Sequence, residues 1–222
     1  MPVLGLEEQG DGVVVVRWDD GENRLNLSSV GEWHDVLDDL EARTGPLAVV
    51  VTGTDKYFSN GLDLARISEV PEEAGSIVEG VHRLLGRLLL LPAWTVFALN
   101  GHAFAAGAMI SSTGDARLMR TERGYWCVPE VDLGLPFTPE MTAALTARLP
   151  WPAATQAMIS GRRYDAPAAA ALGIVDEAVP VERLLARAVE QAAAVASKDR
   201  SVIADHKRQL FGAAAATCGV TP

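Results

Sequence analysis

The chain has 222 residues, of which 49% are hydrophobic and 22% are charged. This length fits one domain, and the composition is that of a globular protein rather than a disordered one. Because 29 acidic residues outweigh 19 Lys and Arg, the formal net charge is −10, which argues against a general binder of nucleic acid or of anionic membranes. Two cysteines exclude a disulfide framework and a cysteine zinc cluster.

Targeting signals are not predicted at either end of the chain. The N-terminal residues lack a basic segment followed by a long apolar stretch, so no signal peptide is expected. The last three residues, Val220-Thr221-Pro222, do not form a peroxisomal signal. No apolar run reaches the ~18 residues of a membrane-spanning helix. We therefore expect a cytoplasmic protein.

Predicted strands and helices alternate along the chain. The β-branched segment 12–18 predicts the first strand, and Ser29 opens a helix with a capping box. Further strands are predicted at 47–52, 94–99, 116–119 and 125–128, and helices from Leu62 and at 74–91, 139–149, 152–159, 167–172 and 181–197. This order predicts an α/β fold (α+β by some schemes) with crossover connections. Charged residues at 198–200 predict a boundary between a core domain, 1–197, and an abbreviated C-terminal helical segment, 198–222.

Common catalytic motifs are absent from the sequence. It contains no phosphate-binding Gly-Lys-Ser/Thr loop, no Gly-x-Gly-x-x-Gly, no His-Glu-x-x-His and no Gly-x-Ser-x-Gly. The four histidines, His34, His82, His102 and His206, show no metal-ligand spacing. We therefore predict no metal site.

Two loops share a design that suits a ligand close to the main chain. Residues 58–64 and 105–108 are rich in small side chains and lead into helices, whose first N–H groups have no internal partner. Two such N–H groups that converge on one oxygen form an oxyanion hole, which is required where a thioester becomes an enolate. The alternative is that both loops are ordinary tight connections.

The candidate acid/base is Glu130, which follows a short predicted strand among apolar residues. Burial there disfavours the ionised carboxylate and raises its pKa toward useful basicity. Taken alone, the segment is also compatible with a surface or capping carboxylate.

Together these segments resemble the crotonase, or enoyl-CoA hydratase/isomerase, superfamily. Four motifs carry the resemblance in the family's order: 50–53 with 58–64, then 100–107, 129–136 and 169–176. The resemblance implies a spiral of β-β-α units, a homotrimer or a dimer of trimers, an acyl-CoA thioester as substrate, and no cofactor beyond the coenzyme A in that substrate. By position it places the oxyanion-hole N–H groups on Leu62 and Ala106, and substrate contacts on Asn23, Leu25, Ser59, Gly61, Asp63, Gly107, Met109 and Pro129.

One departure from the family pattern indicates the reaction. Hydratases of the family resemble one another in carrying two glutamates, whereas this chain has Met109 at the first position and keeps only Glu130. A single base suits the isomerisation of 3-enoyl-CoA to 2-enoyl-CoA, and the motifs most resemble Δ3-Δ2-enoyl-CoA isomerases. Alternatives are hydration, thioester hydrolysis, or a catalytically silent acyl-CoA-binding protein. Since the sequence ends at Pro222, we expect the family's C-terminal helices to be abbreviated.

Overall fold

The computed structural model describes residues 3–222. No signal peptide is predicted for the N-terminal segment. Its first two residues, Met1 and Pro2, lie outside the described residues. The strands are β1 Leu4–Gly10, β2 Val13–Trp18, β3 Ala48–Gly53, β4 Tyr57–Ser59, β5 Trp94–Leu99, β6 His102–Phe104, β7 Ala116–Arg120, β8 Trp126–Cys127 and β9 Glu177–Val179. The α-helices are α1 Leu27–Ala42, α2 Leu64–Glu69, α3 Ala74–Leu90, α4 Ala106–Ser112, α5 Pro139–Arg148, α6 Trp151–Ser160, α7 Ala166–Ala171, α8 Val181–Ala196 and α9 Arg200–Thr217.

The strands form two sheets, and from β3 to β8 the chain contributes strands to the two sheets alternately. Six strands pair in the order β1-β2-β3-β5-β7-β9, and three pair in the order β4-β6-β8. Every pairing is parallel except that of β1 with β2. The chain passes from β3 to β4, from β5 to β6 and from β7 to β8 before each helical crossover. This repeated strand–strand–helix unit confirms the predicted α/β class and the spiral of β-β-α units.

The central strands are mostly apolar because both faces of the large sheet are covered. On one face, Val15, Val50 and Val96 pack in a cluster with the apolar side of α8. On the other face, Val16 and Val51 belong to the main core beneath α1 and α3. The prediction of a buried strand near 47–52 is therefore confirmed.

Two local predictions are wrong. Segment 12–18 forms the second strand rather than the first, because the unpredicted strand β1 precedes it at the sheet edge. Most of β1 is exposed, so its sequence carries little apolar signal. Helix α1 begins after Asn26, whose side chain accepts a hydrogen bond from Ser29 N at 3.0 Å. Ser29 is thus the third helical residue of the capping box and not its first member.

Helix α9 packs against α3 and α5, and a buried polar cluster holds it there. Lys207, only 4% exposed, donates to the main-chain oxygen of Ala93 at 2.8 Å and pairs with Asp115 at 2.6 Å. Asp115 also accepts from the main-chain N–H of Thr95 at 2.9 Å and lies 4.0 Å from Arg148. The predicted division at residue 198 stays a prediction. None of the helices in residues 3–222 combines the length and apolar character needed to cross a membrane.

Candidate active site

A cavity of about 500 Å³ lies where the loop after β4, the start of α4 and the segment after β8 meet. Its wall is mostly apolar. The lining consists of Arg24, Asn60, Leu62, Leu64, Ile67, Ala74, Val78, Phe104, Ala105, Ala106, Met109, Cys127, Pro129, Glu130, Leu133, Leu135, Pro136, Thr138, Met141 and Arg163. The structure thus brings together five of the predicted site residues: Leu62, Ala106, Met109, Pro129 and Glu130.

Glu130 follows the short strand β8, which ends at Cys127 and carries the chain to the cavity wall. The residue is 6% exposed, and its Oε2 atom has no hydrogen-bond partner within residues 3–222. Burial raises the pKa of Glu130 to about 7, because the ionised form loses its solvation. A carboxyl group with this pKa is partly ionised near neutral pH, so it can accept a proton and return it.

Two main-chain N–H groups border the same cavity, on Leu62 and Ala106. Leu62 forms a parallel bridge with Leu25 that does not use the Leu62 N–H. Its two hydrogen bonds run from Leu25 N to Gly61 O and from Asp63 N to Leu25 O, at 2.8 Å each. Ala106 is the first residue of α4, where an N–H has no partner inside the helix. In the described chain neither N–H donates to another protein group. Both are therefore available to a ligand oxygen.

The main chain at Ala105 sets the entry to α4. Ala105 has φ +50° and ψ −123°, a conformation that residues with a side chain rarely adopt. Its N–H donates to the oxygen of Cys127 at 3.0 Å, which ties the loop to β8. Gly61, with φ +78°, packs against it so closely that an added Cβ would lie 2.9 Å from the Cβ of Ala105. This close approach brings Leu62 and Ala106 to one cavity.

Two of the predicted contact residues, Asn23 and Ser59, lie behind the cavity wall. Asn23 is fully buried and donates from Nδ2 to the main-chain oxygens of Trp18 and Phe58, at 3.0 Å each. Ser59 donates from Oγ to the Asn23 oxygen at 2.6 Å and accepts from Gly61 N at 3.2 Å. These bonds fix the loop after β4 in place.

Leu25, Asp63 and Gly107 also lie outside the lining, as does the loop residue Gly61. Leu25 is fully buried in the core, and Asp63 caps α2 by accepting from the main-chain N–H of Arg66 at 3.1 Å. Gly107 packs against the Ser59 segment, where an added Cβ would lie 2.6 Å from the serine Cβ. Contact between these residues and substrate stays a prediction. In the structure they support the loops and the helix around the cavity.

The apolar end of the cavity was not foreseen from the sequence. Leu133 and Leu135 line it although they are 52% and 50% exposed, and Met141 lines it from α5. Met109, which is fully buried, also lines the cavity. The large apolar residues Leu133 and Leu135, in a loop with glycine and proline, are the sequence signal that could have identified this part of the lining.

Several polar residues of the cavity lining were also not predicted from the sequence. Arg24 pairs with Glu22 at 2.6 Å, and Asn60 donates to the same carboxylate at 2.8 Å. Arg163 places its guanidinium 5.5 Å from the ring centre of Phe104. Their sequence signal, isolated polar residues in loops, is too weak to separate them from ordinary surface residues.

The histidines lie on separate elements: His34 on α1, His82 on α3, His102 on β6 and His206 on α9. His102 packs against the Phe104 ring with centroids 4.9 Å apart, beside the cavity but outside its lining. Within residues 3–222, no three His, Cys, Asp or Glu side chains converge as metal ligands would.

Comparisons with known proteins extend these observations. A family model described as enoyl-CoA hydratase/isomerase matches residues 8–217. Enoyl-CoA delta isomerase 2 of Arabidopsis thaliana, a peroxisomal protein, is 33% identical over 181 residues, which span 78% of this chain and 75% of the relative. A putative enoyl-CoA hydratase of Thermus thermophilus is 36% identical over 195 residues, which span 84% and 74%. The crystal structure of human mitochondrial delta3-delta2-enoyl-CoA isomerase superposes with a TM-score of 0.90 at 26% identity, covering 96% of this chain and 85% of that one.

The family match begins within β1 and ends with α9, so it covers both loops of the cavity and the segment that carries Glu130. The resemblance drawn from the four motifs is thereby confirmed. The chain is an enzyme of the enoyl-CoA hydratase/isomerase family.

Proposed function

We propose that the protein is a Δ3-Δ2-enoyl-CoA isomerase. The observation that carries this proposal is the single acid in the cavity: Glu130 is the one carboxylate that lines it in the described chain. The motif resemblance predicts that Met109, which also lines the cavity, stands where the family's hydratases carry their other glutamate. Hydration needs a water molecule held between two acid/base groups. Moving a double bond needs one base that serves two carbon atoms in turn.

In the proposed reaction, the thioester oxygen accepts hydrogen bonds from the N–H groups of Leu62 and Ala106. Ionised Glu130 removes a proton from C2, and the negative charge that develops on the thioester oxygen is stabilised by these two donors. The protonated carboxyl group then delivers the proton to C4, so the double bond moves from C3–C4 to C2–C3. No atom is gained or lost, and no redox partner is required.

The environment of Glu130 suits this shuttle. A pKa of about 7 leaves enough carboxylate at neutral pH to act as base, while the protonated form remains acidic enough to return the proton. The apolar wall, including Met109, keeps competing water from the enolate. The Arabidopsis relative is named an isomerase and the Thermus relative a putative hydratase. The absence of a second carboxylate from the lining favours the isomerase.

The expected homotrimer, or dimer of trimers, is part of the same proposal. Trp151 and Ile159 on α6 are each 70% exposed, and a second copy of the chain would cover such side chains. Light scattering of the purified protein at several concentrations measures the assembly. A monomer at every concentration would contradict this part of the proposal.

The test is Glu130→Gln, assayed with a 3-enoyl-CoA by the ultraviolet absorbance of the conjugated 2-enoyl thioester. The amide is nearly isosteric but cannot take the C2 proton, so we expect a rate loss of ~10² to 10⁴. For the unmodified enzyme, kcat/KM should rise with pH through about 7, because only the ionised carboxylate is a base.

Asp132→Asn is the matched control, since Asp132 lies on the same loop but is exposed and does not line the cavity. It should keep full activity. If Glu130→Gln kept most of the isomerase rate, the assignment of the base would be wrong. Hydration of a 2-enoyl-CoA without isomerisation would favour the hydratase, and binding without turnover would favour the silent acyl-CoA-binding protein.

A further inference from the structure

Two cations line the cavity, and they differ in their surroundings. Arg24 is held by Glu22 at 2.6 Å, so its charge is locally balanced. Arg163 is exposed and forms no ion pair with any residue of 3–222. Arg163 is therefore an uncompensated cation in the wall of this cavity, in a chain whose net charge is −10. Such a group marks the place where an anionic part of the ligand is held.

The main chain beside Arg163 is fixed rather than loose. The next residue, Tyr164, is fully buried and forms an antiparallel bridge with Trp126, with two N–H···O bonds of 2.9 Å. Trp126 belongs to β8, the strand that leads to Glu130. The Arg163 side chain lies over the Phe104 ring, which also lines the cavity. The guanidinium is therefore positioned at the cavity by both its backbone and its aromatic neighbour.

We infer that Arg163 binds a phosphate group of the coenzyme A part of the substrate. This inference rests on the proposed function, because it takes an acyl-CoA as the ligand. Coenzyme A carries a pyrophosphate and a 3′-phosphate, and a planar guanidinium with several N–H donors matches phosphate oxygens. Because the global field of the chain repels anions, a local cation has to hold this end of the molecule.

Arg163 acts on binding and not on the proton transfer. Burial raises the pKa of Glu130, and a hydrogen bond with its own main chain lowers it by a smaller amount. Arg163 makes no contribution to this pKa. Loss of the guanidinium should therefore raise KM and leave kcat and the pH profile unchanged. A residue that merely supported the fold would not produce this separation.

The experiment compares Arg163→Gln with Arg162→Gln. Arg162 is the matched control because it is adjacent and exposed, lies over the Tyr164 ring at 5.1 Å, and does not line the cavity. Each variant is assayed with one 3-enoyl acyl group on four carriers: coenzyme A, 3′-dephospho-coenzyme A, 4′-phosphopantetheine and pantetheine.

For Arg163→Gln we expect KM to rise about 3- to 30-fold with the coenzyme A thioester and to stay unchanged with the pantetheine thioester, which has no phosphate. The carrier at which the difference between variant and wild type disappears identifies the phosphate that is bound. Arg162→Gln should match wild type with all four carriers. An equal rise with pantetheine, or no rise with any carrier, would overturn the inference.

Binding of free coenzyme A, measured by calorimetry, separates this inference from the proposed reaction. If wild type binds coenzyme A and Arg163→Gln binds it more weakly while no isomerase activity is found, the phosphate site stands and the isomerase proposal fails. If isomerase activity is found but both proteins bind coenzyme A equally, the reaction stands and the role of Arg163 is wrong.

Discussion

The cavity wall around Glu130 and the polar cluster beneath α9 each bury a carboxylate, in opposite surroundings. Glu130 is 6% exposed and leaves Oε2 without a partner in the described chain. The Asp115 side chain is 7% exposed, but it accepts from the main-chain N–H and the hydroxyl of Thr95, at 2.9 and 3.0 Å, and pairs with Lys207 at 2.6 Å.

At similar burial, the two carboxylates therefore differ in their number of partners: Asp115 has those of a structural carboxylate, and Glu130 lacks them, as the base proposed above requires. A buried carboxylate that is hydrogen-bonded and paired with a cation fixes the elements around it. A buried carboxylate with an unpartnered oxygen costs stability when it is ionised, and this cost is what raises its pKa. Asp115 is of the first kind and Glu130 of the second.

The largest effect on stability is expected where Asp115 loses the ammonium group of Lys207. Lys207→Ala removes the nearer of the two cations beside Asp115 and leaves only Arg148, at 4.0 Å, so we expect the free energy of unfolding to fall by about 3 kcal/mol. Urea denaturation measures this change. Arg208→Ala is the control, because Arg208 is exposed and pairs only with Asp205 at the surface. Equal losses in the two variants would show that the cluster does not hold α9.

A smaller effect of opposite sign is expected at the unpartnered carboxylate. Folding raises the pKa of Glu130 from 4.5 to about 7, so the folded chain binds more protons than the unfolded chain between these values. The free energy of unfolding therefore falls as the pH rises through this window, by about 1 to 3 kcal/mol, and the loss is complete above pH 7.

Glu130→Gln carries no charge at any of these pH values. We expect it to be more stable than wild type by that amount at about pH 8, and about equally stable at about pH 5. Urea denaturation of both proteins at both pH values measures the difference, in which all other titrating groups cancel. A difference that did not change with pH would mean that the Glu130 carboxylate is solvated in the folded protein.

The smallest expected effect comes from adding a second carboxylate beside Glu130. Met109→Glu places an acid where the motif resemblance predicts that the family's hydratases carry one, at a position that is fully buried in this chain. Repulsion between the two carboxylates should raise one pKa further, which weakens isomerisation and moves its pH dependence upward. A trace of 3-hydroxyacyl-CoA is expected from a 2-enoyl-CoA, measured by product analysis. Unchanged isomerisation without any hydration would mean that Met109 does not face the substrate.

Much of the fold could be predicted because strong local signals mark it. The buried valines of β3 predict a covered strand, and the position of Glu130 among apolar residues predicts its burial. Strand β1 was missed because a mostly exposed edge strand carries few apolar residues. The start of α1 was misplaced because Asn26 and Ser29 both suit a helix cap, and only the fold decides between them.

The site was predicted less completely than the fold, for a different reason. The loops that carry Leu62 and Ala106 have recognisable motifs, whereas Arg163 reaches Phe104 from a distant part of the chain. Contacts of this kind depend on how the turns of the spiral stack, and no local spacing encodes them. Asn23 shows the converse: the resemblance predicts a substrate contact there, but the residue bonds to the loop after β4 and does not line the cavity.

The close packing of Gly61 and Ala105 limits which amino-acid substitutions the chain can accept at these two positions. The space between them holds a single methyl group, which Ala105 now supplies, and the positive φ angles at both positions disfavour larger residues. Exchange of alanine for glycine at position 105 is therefore the one substitution that these two positions should tolerate. In a saturation library selected for growth on the enzyme's activity, position 61 should return glycine alone, and position 105 only alanine or glycine.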